Sequence, residues 1–199
     1  MEISAKDVMT LRKRTGVGMM DCKNALKEAG GDIEKAVNIL REKGIASAQK
    51  RSGRETKQGY IDAYIHPGSK LAAMVEVDCE TDFVARNNEL QEFARNLAMH
   101  IAATNPSSVS EEDIDSEIIE REKEIYRAQA LNEGKKPEFV DKIVEGRLKK
   151  FYNESCLLNQ IYIKDESQKT TIQDLLTNLI AKIGENIVIR RFTRYEIGA

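Results

Sequence analysis

The residues able to do chemistry in this chain mostly stand apart from one another. Its two histidines, His66 and His100, have no cysteine or second histidine at ligand spacing, which argues against zinc. The one Gly-Lys step, Gly134-Lys135, has Gln129 where the first glycine of a phosphate-cradling loop must stand, so GTP or ATP is not bound by that route. Carboxylates are abundant in a chain that is 32% charged, and no pair is singled out as general acid and base. The three cysteines, Cys22, Cys79 and Cys156, form no CxxC pair and no even-numbered framework, which fits a reducing cytosol. No catalytic residue, metal ligand or cofactor site emerges, and an enzyme reading has no positive support.

Residues 79–87, CETDFVARN, are the exception. Phe83 sits among Glu80, Thr81, Asp82 and Arg86 in a short connection between two well-patterned elements. Such an aromatic either folds back into the core or is offered to another molecule. Thr81 and Asp82 favour cap or turn geometry that can direct the next side chain outward. Met19-Met20 has the same duality, since methionine fills core gaps and also serves adaptable binding surfaces. The cluster Lys50, Arg51, Arg54 and Lys57 reads most simply as a solvated linker, because an RNA site would need interleaved aromatic platforms. Arg190, Arg191 and Arg194 read as the polar edge of a terminal strand.

The elements that must position these residues follow from local signals. Ser4 with Asp7 starts a first helix with Val8 and Leu11 on one face, ending near Arg14. A second places Cys22, Ala25, Leu26 and Ala29 together and stops at Gly30-Gly31; Asp32 caps a third, with Ile33, Ala36, Val37 and Leu40, ending at Gly44. Residues 1–45 are thus a three-helix module, and 46–58 a linker, with a helical start to it as the alternative. GYIDAYIHPGSKLAAMVEVDC alternates at Ile61, Ala63 and Ile65 and again at Leu71, Ala73, Val75, Val77 and Cys79, with Pro67-Gly68 suited to a type II turn, so it predicts an antiparallel hairpin. Asn88 with Gln91 opens the clearest helix, carrying Leu90, Phe93, Ala94, Leu97, Ala98 and Ile101. Ser110 with Asp113 caps a charged helix, and Pro137 opens another with Val140, Ile143, Val144, Leu148 and Phe151 on one face; together they predict a helical hairpin at about 111–152. NQIYIKD is short and β-like, residues 171–183 are helical, and NIVIRRFTRYEI is a final strand. The fold class is α+β, an N-terminal helical module followed by an antiparallel sheet packed with helices over 59–199.

Net charge excludes some partners: 31 Lys and Arg against 33 Asp and Glu leave −2, so no global field draws the chain to nucleic acid or an anionic membrane. No stretch approaches the roughly 18 apolar residues of a membrane span, and the start of the chain lacks a leader's apolar region. A cytoplasmic protein that recognises its partner locally is expected.

Four segments carry a family resemblance. LRKRTGVGMMDCKNAL at 11–26, VDCETDFVARN at 77–87, FYNESCLLNQIYIKD at 151–165 and RRFTRYEIG at 190–198 together resemble bacterial elongation factor Ts. The resemblance implies a ubiquitin-associated-like N-terminal module and an exchange factor, without bond-making chemistry, that binds elongation factor Tu and accelerates GDP release. It implies that Thr81, Asp82, Phe83 and Val84 promote loss of magnesium from the nucleotide site, with Phe83 inserting between helices of the G domain. It also places Arg12, Met19 and Met20 on contact positions of the N-terminal module. Longer members carry two related core halves and an inserted coiled coil; this chain has one half, short central helices, and Ile161 where many members have proline. A homodimer is expected to close the gap left by the missing half. The competing readings are an RNA- or ribosome-binding accessory protein, betrayed by steep salt dependence, and a small hydrolase, betrayed by turnover.

Overall fold

The computed structural model describes residues 3–198. Its elements, in order, are α1 Ala5–Thr15, α2 Met19–Glu28, α3 Ile33–Arg51, β1 Gln58–Ile65, β2 Leu71–Cys79, α4 Asp82–Ala85, α5 Asn88–Thr104, α6 Ser116–Asn132, α7 Pro137–Ser155, α8 Ile172–Ile183 and β3 Ile187–Glu196. The class is α+β, with one antiparallel sheet in the order β1-β2-β3. The chain divides into two compact units: Met1–Tyr60, Val77–Phe93 and Asp174–Val188 form one, and Ile61–Glu76, Ala94–Gln173 and Ile189–Ala199 the other. Among the described residues no helix is long and apolar enough to cross a membrane.

In the first unit, the helical starts are those the caps predict. Ser4 Oγ accepts from the Asp7 N–H at 3.1 Å and Asp32 Oδ1 from the Lys35 N–H at 3.1 Å. Val8, Leu11, Cys22, Ala25, Leu26, Ala36 and Leu40 form one buried cluster. The expected end of α3 at Gly44 is corrected: the helix continues to Arg51, and the segment read as a linker is helical at its start, over residues 46–51. Glycine weakens a helix interior by about 0.5–1 kcal/mol, but here it packs against another helix, the position of a Cβ lying at ordinary contact distance, 3.7 Å, from the Ala181 Cβ of α8. Arg41 pairs with Asp174 at 2.8 Å on the same two helices. Tertiary packing outweighs the local stop signal.

The hairpin turn forms as expected, with Gly68 at φ +92° and the Ser69 N–H donating to the His66 carbonyl at 2.9 Å. The His66 N–H donates to the Leu71 carbonyl at 2.8 Å, which sets Ile65 opposite Ala72, Ala63 opposite Met74 and Ile61 opposite Glu76. The apolar sets of the two strands therefore lie on opposite faces. Ala73, Val75 and Val77 are buried, whereas Ile61, Ile65 and Met74 face outward and are exposed. Gly59 lets β1 approach β2: a Cβ there would stand 2.6 Å from the Val77 carbonyl oxygen.

In the second unit α6 and α7 form the expected hairpin around Ala130, Val140 and Val144. Arg147 binds both oxygens of Glu133 at 2.8 Å, and Arg127 pairs with Asp141 at 3.0 Å. Three local expectations are corrected. The Ser110–Asp113 capping box closes a single 3-10 turn, Glu111–Asp113; Ile114 is extended, and α6 starts only after Asp115, whose Oδ1 accepts from the Glu117 N–H at 2.9 Å. At α5 the capping side chain is Asn87, one residue early, accepting from the Glu89 N–H at 2.8 Å. NQIYIKD is no strand: Leu157–Asn159 is a 3-10 turn and Ile161 makes one isolated bridge to Thr171. Asp165 explains the brevity, because it gathers the N–H groups of Thr170 at 2.7 Å and Lys169 at 2.9 Å and the Ser167 hydroxyl at 2.8 Å, turning the chain back. Those donors hold its carboxyl well below the usual carboxylate range.

His100 is fully buried on α5. Its Nδ1 accepts the Ile163 N–H at 3.3 Å, so the proton sits on Nε2, which donates to Gln160 Oε1 at 2.9 Å. Gln160 Oε1 also accepts from the Thr104 hydroxyl at 2.8 Å, and its Nε2 donates to the Glu154 carbonyl at 2.6 Å. Burial pushes the imidazole below its ordinary pKa, with the Gln160 bond opposing. A second proton would oppose the Ile163 N–H, so the folded state binds it less readily than the unfolded chain. Stability from this group is full above the unfolded value of about 6.5 and is lost as pH falls below it. Thermal melts between pH 7.5 and 5.5 are expected to fall toward acid, and His100→Gln, though less stable, to flatten that slope; an unchanged slope would refute the assignment.

Candidate functional site

The segment after β2 makes a single turn of helix, α4, too short to persist by its own hydrogen bonds. It is built from outside. Thr81 is extended and caps the turn, its Oγ1 accepting from the Val84 N–H at 3.3 Å. The Thr81 hydroxyl donates to Glu185 Oε1 at 2.7 Å and its N–H to Glu185 Oε2 at 3.1 Å. In the opposite sense, Glu80 Oε1 accepts from the Asn186 N–H at 2.6 Å and from Arg54 at 3.3 Å. Beneath the turn the Cys79 thiol donates to the Thr81 carbonyl at 3.2 Å. Burial, reinforced by the Glu185 charge, pushes that thiol up to about 11, so it stays protonated and serves as a donor, not a nucleophile.

On this base the side chains of the turn divide. Val84 is 4% exposed and anchors the turn inward. Phe83, next to it, is 80% exposed. Of the two readings of Phe83, the core aromatic does not describe the free protein. Asp82 pairs with Arg86 at 2.9 Å across one turn, both well exposed, and such a pair contributes little to stability. The cap is Thr81, with Asp82 the first helical residue.

Arg12 lies exposed on α1, and Met19 and Met20 open α2 with 48% and 65% of their surfaces accessible. These positions belong to the same compact unit as Thr81–Val84. Sequence reasoning missed the groups that brace the turn. Glu185 and Asn186 follow α8 and the positive-φ Gly184, remote in sequence from Thr81 and without periodicity to mark them. The continuation of α3 matters as well, since the Arg51 Nε donates to the Gly184 carbonyl at 2.9 Å and the Asn186 Nδ2 to the Arg54 carbonyl at 2.8 Å.

Comparison with known proteins agrees along the chain. Residues 11–171 match the family described as elongation factor TS. The chain is 59% identical over 196 residues to an elongation factor Ts of Caldanaerobacter subterraneus subsp. tengcongensis, covering 98% of this chain and 97% of the relative. It is 56% identical over 199 residues to that of Nitratidesulfovibrio vulgaris, covering 100% and 98%, and 55% identical over 196 residues to that of Moorella thermoacetica, covering 98% and 96%.

The division of the turn is testable on the free protein. Phe83→Ala is expected to move the unfolding free energy by no more than about 0.5 kcal/mol, as at an ordinary surface site. Val84→Ala is expected to cost about 1.5–3 kcal/mol from lost burial and the cavity left behind. Denaturant titrations of the two variants check the contrast, and equal losses would contradict it.

Proposed function

The chain belongs to the elongation factor Ts family, and from that membership we propose that it is a guanine nucleotide exchange factor of translation, binding elongation factor Tu with GDP and promoting GDP release by disturbing the magnesium and phosphate site. The observation that carries this reading is Phe83, an aromatic ring 80% exposed on a turn braced from two directions. Leaving such a ring in water is unfavourable, and the bracing removes the freedom by which it would fold back. A ring presented this way suits insertion between packed helices of a partner. Asp82 and Arg86 flank it, while Thr81 and Val84 act through the shape of the turn. Arg12, Met19 and Met20 offer a second contact, with methionine conforming to the partner surface.

Exchange needs no bond-making chemistry; it follows from linkage. A factor that binds nucleotide-free elongation factor Tu more tightly than its GDP form weakens GDP by the same ratio. Magnesium ties phosphate charge to the GTPase, so displacing it removes much of the nucleotide's electrostatic hold. The protein acts in the cytoplasm and binds neither nucleic acid nor membrane directly. Its domain plan is an N-terminal helical module followed by the sheet-containing core. Phe83→Ala is expected to lower exchange efficiency roughly 30- to 1000-fold, the loss of a buried aromatic anchor. Release of fluorescent GDP from elongation factor Tu measures it, and a folded variant with undiminished release would overturn the role of the ring.

A homodimer belongs to the same proposal. Ile61, Ile65 and Met74 share the outward face of the sheet, and the Ile197 N–H donating to the Lys70 carbonyl at 2.9 Å sets exposed Tyr195 opposite Ala72 on that face. A two-fold pairing of these faces would bury an apolar surface that one chain leaves open. Light scattering is expected to report a dimer at micromolar concentration and Ile65→Asp to give the protomer; a parent protein that is monomeric would refute the pairing.

A further inference from the structure

One carboxylate decides how the turn is aimed. Glu185 takes both donors of Thr81, the hydroxyl at 2.7 Å and the N–H at 3.1 Å. By drawing the hydroxyl hydrogen toward itself it leaves the Oγ1 lone pairs for the Val84 N–H at 3.3 Å. The same group therefore orients the residue that enters α4 and completes the cap that closes it. Glu185 is itself fixed on either side, by Arg51 on the Gly184 carbonyl at 2.9 Å and by Glu80 on the Asn186 N–H at 2.6 Å.

We infer that Glu185 is a positioning residue for nucleotide release, acting through Thr81 to hold Phe83 in the orientation that enters the partner. The inference rests on the exchange reading above. Without the carboxylate, the Thr81 hydroxyl can rotate off the Val84 N–H and its own N–H turns to water. A one-turn helix deprived of its cap populates other conformations, and only the fraction with the ring correctly aimed is competent. Arg12, Met19 and Met20 do not depend on that cap. Losing Glu185 should thus reduce what the bound complex achieves more than it reduces binding.

The test is the concentration dependence of GDP release from elongation factor Tu with the parent, Glu185→Ala, Glu185→Gln and Thr81→Val, alongside amide hydrogen exchange of the free proteins at Thr81 and Val84. Glu185→Ala is expected to lower the maximal release rate roughly ten- to a hundredfold, with a smaller rise in the half-saturating concentration. Glu185→Gln, whose amide still offers one acceptor and one donor to Thr81, is expected to keep most of the rate and the amide protection that Glu185→Ala loses. Thr81→Val, which removes the hydroxyl from the other side, should reproduce the loss of rate and serves in place of Glu185→Ala if that variant does not fold. A parent-like maximal rate in Glu185→Ala, equal damage in the Gln and Ala variants, or unaltered amide protection would each overturn the positioning role while leaving the exchange reading in place. A parent protein that fails to accelerate GDP release would overturn both.

Discussion

Thr81 and Asn186 each donate a backbone N–H to a carboxylate on the other's segment, Thr81 to Glu185 and Asn186 to Glu80. Hydrogen bonds to an ionised acceptor are roughly twice as strong as neutral ones, and here they run in both directions between the same short stretches. This reciprocal clasp joins the end of β2 to the connection between α8 and β3. It allows a helix of one turn to hold its shape where its own hydrogen bonds would not. The exposed aromatic gains its meaning from that constraint. On a loose loop Phe83 would sample many directions; on a braced turn the cost of ordering its backbone is met on folding.

The clasp is tied to the end of the third helix and the residues just after it. Gly44 of α3 faces Ala181 of α8 at ordinary contact distance, and α3 continues until Arg51 reaches the Gly184 carbonyl. From there Glu185 and Asn186 follow directly in the chain. The run from the third helix to the turn is thus continuous and made of short contacts. The residues proposed to bind the partner from α1 and α2 sit in the same compact unit. Cys79 fits this scheme as a buried donor beneath Thr81, its thiol kept protonated by its surroundings.

The sheet separates two uses of apolar residues. Strand β2 buries Ala73, Val75 and Val77, whereas β1 turns Ile61 and Ile65 to the other face. A hairpin register is all that assigns one set to the interior and the other to the surface, since a shift of one residue reverses both. The outward isoleucines are therefore a consequence of pairing and not of composition. They leave exposed isoleucines on the outward face of the sheet.

Local chemistry in the sequence determined the element types, because caps, turn residues and periodicity act over a few residues. Ser4, Asp32, Pro67-Gly68, Pro137 and the apolar stripe of the helix beginning at Asn88 all mark what the structure contains. The oddity of Phe83 was equally legible, since an aromatic between Asp82 and a helix start has few places to go. The tertiary structure decided what no nearby residue encodes. It carried α3 through Gly44, because Ala181 stands where the helix needed a neighbour. It turned Ile61 and Ile65 outward, because register depends on the partner strand. It shortened NQIYIKD to a single bridge, because Asp165 collects donors that a strand would have needed. Above all it paired Thr81 with Glu185, two residues at opposite ends of the core whose meeting leaves no period or motif in the chain, because a hydrogen bond between distant side chains depends on position in space and not on spacing in sequence.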